Sequence, residues 1–389
     1  MKIIVLGGAG KMGCIAVQDL AWDDRVNEVI IADQDLDQAR TVAEYIGSPK
    51  IGIQAVDVSD HAGLVDLLDG ADACVNATVY YFNLQVMEAC LEAGVPYTDL
   101  GGLFHNTRKQ LALHDRFAGA GVSAVLGLGS APGVPNIQAR YAADRLDTID
   151  SIRIYDGIKP PAADAVQFTY AVPTIVDELT MSPMVYRDGE YQECEPLSEF
   201  EDYWFAEPLG LLPMHLSLHS EVATLPISFR DKGLRECTFK INYWGMAKAA
   251  VEKVRVLVDF GFAGEEPVDV RGKPVVPRHL MEALMGEYVP SIESFLEAPE
   301  NEPPDWVKEI VTEIRGTKNG EDLTYRMGTT MCKGAQPTGT VPARAAVWMA
   351  QGRTPAGVYP PEQVIDPQPF LKELENRDIY TQVSVSRPL

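Results

Sequence analysis

Residues 8–13 read Gly8-Ala9-Gly10-Lys11-Met12-Gly13, and an acid, Asp33, follows about 20 residues after the last glycine. This G-x-G-x-x-G spacing suits a turn that cradles a dinucleotide. Gly8 permits the tight turn, Gly10 lets the backbone approach a pyrophosphate, and Gly13 lets a helix lie close on its strand. A helix N-terminus there offers free N–H groups and the positive end of its dipole to phosphates. The cofactor contacts expected from the loop are Gly8, Ala9, Gly10, Lys11, Met12 and Gly13. A carboxylate at position 33 accepts hydrogen bonds from a ribose 2′-hydroxyl and repels a 2′-phosphate. The next residues, Gln34-Asp35-Leu36-Asp37, supply no arginine to hold that phosphate. Asp33 and Gln34 therefore favour NAD over NADP.

Further candidates sit where strands are expected to end. Asn76 and Ala77, with Tyr81 and Asn83 just beyond, are placed for cofactor contacts; Tyr81 could equally be a packing aromatic and Asn83 a helix cap. Asp99, followed by Gly101-Gly102, is a candidate for the nicotinamide side or a substrate amine, or else an N-cap. His219 and Glu221, two residues apart, would project to one side of an extended segment. An imidazole and a carboxylate together can move a proton and hold an ammonium; the plainer reading is an exposed polar strand face. His105 and His114 read as surface histidines. Met181, Met184 and Met214 with Trp204 and Phe205 could wall an alkyl pocket or simply fill a core. No pattern supports a metal site, a nucleophilic triad or a P-loop.

The elements that must position these residues alternate. Aliphatic strands are expected at Lys2–Leu6, 29–32, 51–56, 73–77, 96–100 and 122–126, separated by helices at 36–46, 61–68, 83–93 and 107–120. Strands alternating with helices of this length imply parallel pairing and a doubly wound α/β sheet, with ligands beyond the carboxyl ends of the strands. The loops 7–13, 77–82, 99–105 and 127–135 should face cofactor or substrate. From about Ser151 the pattern becomes strand-rich. Hairpins are expected at Asp188-Gly189, at Arg271-Gly272 and, most clearly, at Lys318-Asn319-Gly320 between strands 306–315 and 323–330. Strands at 151–155 and 235–243 and a helix from Met246 to about 260 complete an α+β unit on a mostly antiparallel sheet. Apolar helices at 341–349 and around Phe370-Leu371-Leu374 return the chain to the first unit. The expected division is a Rossmann domain, 1–135 plus about 336–389, with an inserted substrate domain, about 136–335.

A chain of 389 residues exceeds one ordinary core. Its net charge of −23 leaves no basic stripe for nucleic acid and disfavours anionic membranes. The six cysteines are scattered, without C-x-x-C or a Cys/His cluster, which fits reduced thiols. No apolar run reaches about 18 residues and the chain opens directly on a strand. A soluble, cytoplasmic protein, homodimeric by base rate, is expected.

Taken together, Gly8–Gly13, Asp33, Tyr81-Phe82-Asn83, Thr98-Asp99-Leu100-Gly101-Gly102, Ala131-Pro132-Gly133 and Gly357-Val358-Tyr359-Pro360-Pro361-Glu362 resemble the saccharopine dehydrogenase-like family, nearest to its lysine 6-dehydrogenase branch. The resemblance implies a Rossmann domain completed by the C-terminal segment, an inserted catalytic domain, and oxidation of an amino-acid CH–NH₂ or CH–NH group through an imine with a nicotinamide cofactor. The saccharopine-forming branch, which condenses an amine with a keto acid, is the alternative; it carries an aspartate where this chain has Ala131. A nucleotide-binding scaffold without catalysis is the third reading. Two departures bear on the substrate. Trp244-Gly245-Met246 stands where lysine 6-dehydrogenases have a glycine-histidine pair, and His219-Ser220-Glu221-Val222 where they have a Thr-Ser-Gly-Gly type stretch.

Overall fold

The computed structural model describes residues 1–159, 170–243, 248–288, 291–296, 307–331 and 336–387. The proline stretches at 160–161 and 299–304, Trp306, Cys332 and the Trp244-Gly245-Met246 stretch lie outside the described residues.

Seven parallel strands form the first sheet. Their spatial order is Gly357–Tyr359, Ser123–Val125, Tyr97–Asp99, Ala73–Asn76, Lys2–Leu6, Glu28–Asp33 and Ile51–Ala55. The chain reverses direction across the sheet between Lys2–Leu6 and Ala73–Asn76. That switch point opens the crevice in which doubly wound sheets hold their ligands. Aliphatic residues of Lys2–Leu6 are buried on both faces, as a central parallel strand requires. One expected helix is two: Leu103–Leu111 and His114–Ala120. Leu103 takes a positive φ of 51° and carries the chain into a helix straight after Gly102. A turn in which Leu113 N–H bonds Gln110 O then separates the two.

The second sheet is mixed and mainly antiparallel. It runs Glu201–Trp204, Leu211–Leu216, Glu236–Ile241, Thr148–Lys159, Val307–Lys318, Glu321–Met331 and Tyr380–Ser386, with the hairpin Met184–Arg187 and Glu190–Glu193 attached to Glu236–Ile241. Thr148–Lys159 pairs in parallel with Glu236–Ile241 and antiparallel with Val307–Lys318. Asn319 and Gly320 turn with φ of 53° and 81°, the left-handed pair that a two-residue hairpin needs.

The helix Gln336–Ala350 returns to the first sheet and lies on Lys11–Ala21. Gly339 makes the approach possible, since a Cβ there would sit 2.6 Å from both Ile15 Cβ and Met12 O. Arg344, fully buried, forms ion pairs with Asp19 and Asp23; Arg377 reaches Asp19 at 2.7 Å, and Arg25 bridges Asp23 and Glu373. The last strand departs from the expected division. Tyr380–Ser386 pairs with Glu321–Met331 in the second sheet rather than the first. Asp378, with φ of 59°, turns the chain toward the edge that Glu321–Met331 leaves open. Among the described residues no helix is long and apolar enough to cross a membrane.

Candidate functional site

One cleft of about 720 Å³ runs from the glycine turn to the second sheet. At its nucleotide end Gly7 has φ of +70° and Gly10 N–H bonds Gly7 O at 3.0 Å. A Cβ on Gly13 would stand 2.1 Å from Gly7 O, so helix and turn meet only because that side chain is missing. The helix Lys11–Ala21 starts at Gly10 without a side-chain cap, which leaves its first N–H groups for an anion. Asp33 closes its strand at the cleft, accepting hydrogen bonds from Ala9 N–H at 3.0 Å and Asp35 N–H at 3.1 Å. Glycine cradle, uncapped helix and strand-end carboxylate together fit a dinucleotide.

Of the expected cofactor contacts, Gly10, Lys11, Met12, Asp33, Gln34 and Ala77 line the cleft. Gly8, Ala9 and Gly13 build the turn behind them. Asn76 and Asn83 are buried and bond one another at 3.0 Å. Tyr81 is half exposed and donates to Asp177, away from the cleft lining.

Asp99 is likewise not presented to a substrate. It is fully buried and takes five donors: Gln110 Nε2 at 2.6 Å, Gly127 N–H at 2.7 Å, Tyr97 hydroxyl at 2.9 Å, Gly101 N–H at 3.0 Å and Asn83 Nδ2 at 3.1 Å. Burial raises its carboxyl above the ordinary value, and these donors oppose the rise. Its work is to tie two strand-end loops to the helices beside them. Asp99→Ala is expected to cost on the order of 3 kcal/mol in urea unfolding, because main-chain N–H groups at Gly101 and Gly127 lose an acceptor that water cannot replace.

The substrate end gathers side chains from four segments. Asp156, on Thr148–Lys159, and Lys308, on Val307–Lys318, form an ion pair of 2.8 Å. Glu178, on the helix Val172–Thr180, accepts a hydrogen bond from Tyr170. His219 precedes the helix Glu221–Ser228, stacks on Phe239 at 3.7 Å and bonds Glu221 through Nδ1. Asp156, Tyr170, Glu178, His219 and Lys308 all line the cleft, while Glu221 stands behind His219, fully buried. Asp156 Oδ1 and Glu221 Oε1 have no hydrogen-bond partner among the described residues.

Electrostatics at this end are tightly linked. Burial pushes the Glu178 carboxyl up to about 7, with His219 and Tyr170 opposing. Burial pulls the His219 imidazolium down, but Glu221, Glu178 and Asp156 outweigh it, and the net shift is upward. Burial also raises Asp156, against Lys308. Asp156 is paired with Lys308 and Glu221 with His219, which leaves Glu178 as the carboxyl group of this cluster with no ion-pair partner among the described residues.

His219 and Glu221 are thus brought together, whereas Asp156, Glu178, Lys308 and Tyr170 escaped sequence reading. Asp156 interrupts the inward phase Ile152, Ile154, Ile158, and Lys308 precedes Ile310 and Ile314 on theirs. A charge in an apolar phase was the available signal. Met181, Met184, Met214 and Phe205 pack away from the cleft lining, Trp204 is exposed, and His105 and His114 do not line the cleft.

A family profile described as the saccharopine dehydrogenase NADP binding domain matches residues 3–125, and one described as the saccharopine dehydrogenase C-terminal domain matches residues 129–379. The chain belongs to the saccharopine dehydrogenase family. Within this family of nicotinamide-dependent oxidoreductases, a carboxyaminopropylagmatine dehydrogenase from Synechocystis sp. is 28% identical over 96% of this chain and 95% of its own length. A carboxynorspermidine synthase from Vibrio alginolyticus is 23% identical over 100% of this chain and 98% of its own. The fold matches saccharopine dehydrogenase (L-Glu forming) from Saccharomyces cerevisiae with a TM-score of 0.70, at 17% identity over 99% of both chains. It also matches the homospermidine synthase of Legionella pneumophila, solved with NAD, with a TM-score of 0.68 at 14% identity, over 100% of this chain and 91% of that one.

Proposed function

We propose that this saccharopine dehydrogenase family member makes or breaks the CH–NH bond of an amine that carries both a carboxylate and further cationic nitrogen, with NAD as the preferred dinucleotide. The observation that carries the reading is the substrate end of the cleft, where Glu178 stands with the Asp156–Lys308 ion pair and with His219, whose ring is held by Glu221 behind it. The names of the two relatives support the substrate class, since each joins a carboxyl-bearing arm to an amine. Asp33 supports NAD.

Bound at the glycine turn, a nicotinamide dinucleotide supplies the hydride chemistry. The chain's own residues do the rest. An amine gives up hydride from carbon only when its nitrogen lone pair is free, so the ammonium must first lose a proton. Glu178, half ionised near neutrality, takes that proton and returns it in the opposite direction. The Lys308 ammonium is placed to attract a substrate carboxylate, and the buried Asp156 oxygen without a hydrogen-bond partner among the described residues a second ammonium. Glu221 holds the His219 ring in one orientation, stacked on Phe239.

Free lysine is the simplest molecule with these groups, and the family resemblance to lysine 6-dehydrogenases keeps it as the second reading. Purified protein is incubated with NAD or NADP and either lysine or N-carboxyalkyl amines, and with NADH plus a diamine and a carboxyl-bearing aldehyde. Reduced-nicotinamide absorbance follows each reaction. Turnover of the secondary amines is expected; turnover of lysine alone would move the assignment to oxidative deamination. Cofactor binding without any turnover would leave a scaffold.

A further inference from the structure

Three separate parts of the chain converge on one carboxylate just outside the reacting end of the cleft. Asp177 sits on the helix Val172–Thr180 and is 4% exposed. Its Oδ2 accepts hydrogen bonds from the Tyr80 hydroxyl at 2.8 Å and from the Tyr81 hydroxyl. Its Oδ1 faces Arg278 Nη1 at 2.8 Å. Arg278 Nη2 donates in turn to the Tyr81 hydroxyl at 3.1 Å and to Pro173 O at 3.0 Å, and its Nε to Glu282 at 2.7 Å.

The origins of these groups give the junction its meaning. Tyr80 and Tyr81 follow the strand Ala73–Asn76 of the nucleotide-binding sheet. Arg278 comes from the helix Pro277–Gly286, which follows the two-stranded sheet Val268–Val270 and Lys273–Val275 in the chain and packs on the helix Val172–Thr180. Asp177 is the residue before Glu178. Tyr80 lines the cleft from the nucleotide side, while Val172, Thr174 and Glu178 line it from the helix. The contact that joins the two walls therefore lies one residue from the proposed proton carrier.

We infer that Arg278 is a positioning residue, and that its clamp on Asp177, Tyr81 and Pro173 O fixes the distance between Glu178 and the nucleotide-side wall of the cleft. A simple prop would be served by one hydrogen bond. Here a single guanidinium spans one turn of the helix, from Pro173 to Asp177, and the tyrosine opposite. A planar guanidinium held by several acceptors at once fixes direction as well as distance. Displacement of a reacting group by about 1 Å costs roughly 100-fold in rate. This inference rests on the proposed role of Glu178.

The test compares Arg278→Ala, Arg278→Lys and Tyr81→Phe with the unaltered full-length protein. Arg278→Ala is expected to lower kcat about 100-fold, to leave the calorimetric Kd of the dinucleotide within about twofold, and to weaken amine binding about tenfold. It should also move the pH midpoint of kcat to the acid side, because water gains access to Glu178 while His219, Asp156, Lys308 and Tyr170 still face it. Arg278→Lys keeps the charge and should recover part of kcat. Tyr81→Phe, which keeps the ring at a half-exposed position and removes only the hydroxyl, should lower kcat about fivefold with an unchanged melting temperature. A lowered melting temperature in Arg278→Ala with unchanged kcat, amine affinity and pH midpoint would reduce the clamp to a structural contact and overturn the inference. Unaltered protein that turns over no amine would instead overturn the functional reading on which it rests.

Discussion

Glu178→Gln is expected to lower turnover about 1,000-fold, within the range a positioned acid–base group supplies. The exchange keeps size and shape and preserves an acceptor for the Tyr170 hydroxyl, so packing of the helix Val172–Thr180 should survive. What disappears is a group that changes charge near pH 7. The sign of the pH dependence follows from which form is needed. Amine oxidation needs the carboxylate, so its rate rises with pH through about 7 and then levels. Imine reduction needs the acid, so its rate falls over the same interval. Glu178→Gln should flatten both limbs while leaving dinucleotide affinity unchanged, since the glycine turn is at the other end of the cleft. A limb that persists at the same pH would transfer the proton to the His219–Glu221 pair.

The second large effect belongs to Asp33. Its carboxylate lines the cleft while holding the Ala9 and Asp35 amides. Hydrogen bonds to a charged acceptor contribute about 1.5–3 kcal/mol each. Asp33→Ala is therefore expected to weaken NAD about 100-fold and to remove the repulsion that excludes a 2′-phosphate. Adding Gln34→Arg should then bring NADP ahead of NAD. Calorimetry with both dinucleotides decides it; an unaltered protein that already prefers NADP would show that Asp33 does not face the ribose.

The two ends of the cleft differ in how far sequence alone reaches them. Glycine turn, strand-end acid and aliphatic strands are local patterns, each written within a dozen residues and fixed by backbone geometry. The substrate end is assembled from residues 156, 178, 219 and 308, on elements far apart in the chain: strand register joins 156 and 308, and helix packing on the sheet brings 178 and 219 to them. Asp99 shows the opposite failure. Its place at a strand end suggested a ligand, yet the loops from 101 and 127 fold over it and consume its lone pairs. Tyr81 was drawn to Asp177, 96 residues away, by a contact with no local signature. His219 and Glu221 bond one another, but not as neighbours on an extended segment, because the second residue opens a helix.

The buried pairing of Asp19 and Asp23 with Arg344 and Arg377 has a consequence for biogenesis. Arg344 follows its partner Asp23 by 321 residues, and Arg377 follows Asp19 by 358. A ribosome that has emitted the six amino-terminal strands of the first sheet, through Ser123–Val125, has still to make either arginine, and an unpaired buried charge is strongly destabilising. Domains usually acquire structure in order of synthesis. Here the nascent amino-terminal half must wait for the closing helices, so truncation before Arg344 should yield chaperone-bound or proteolysed fragments instead of a free dinucleotide-binding module.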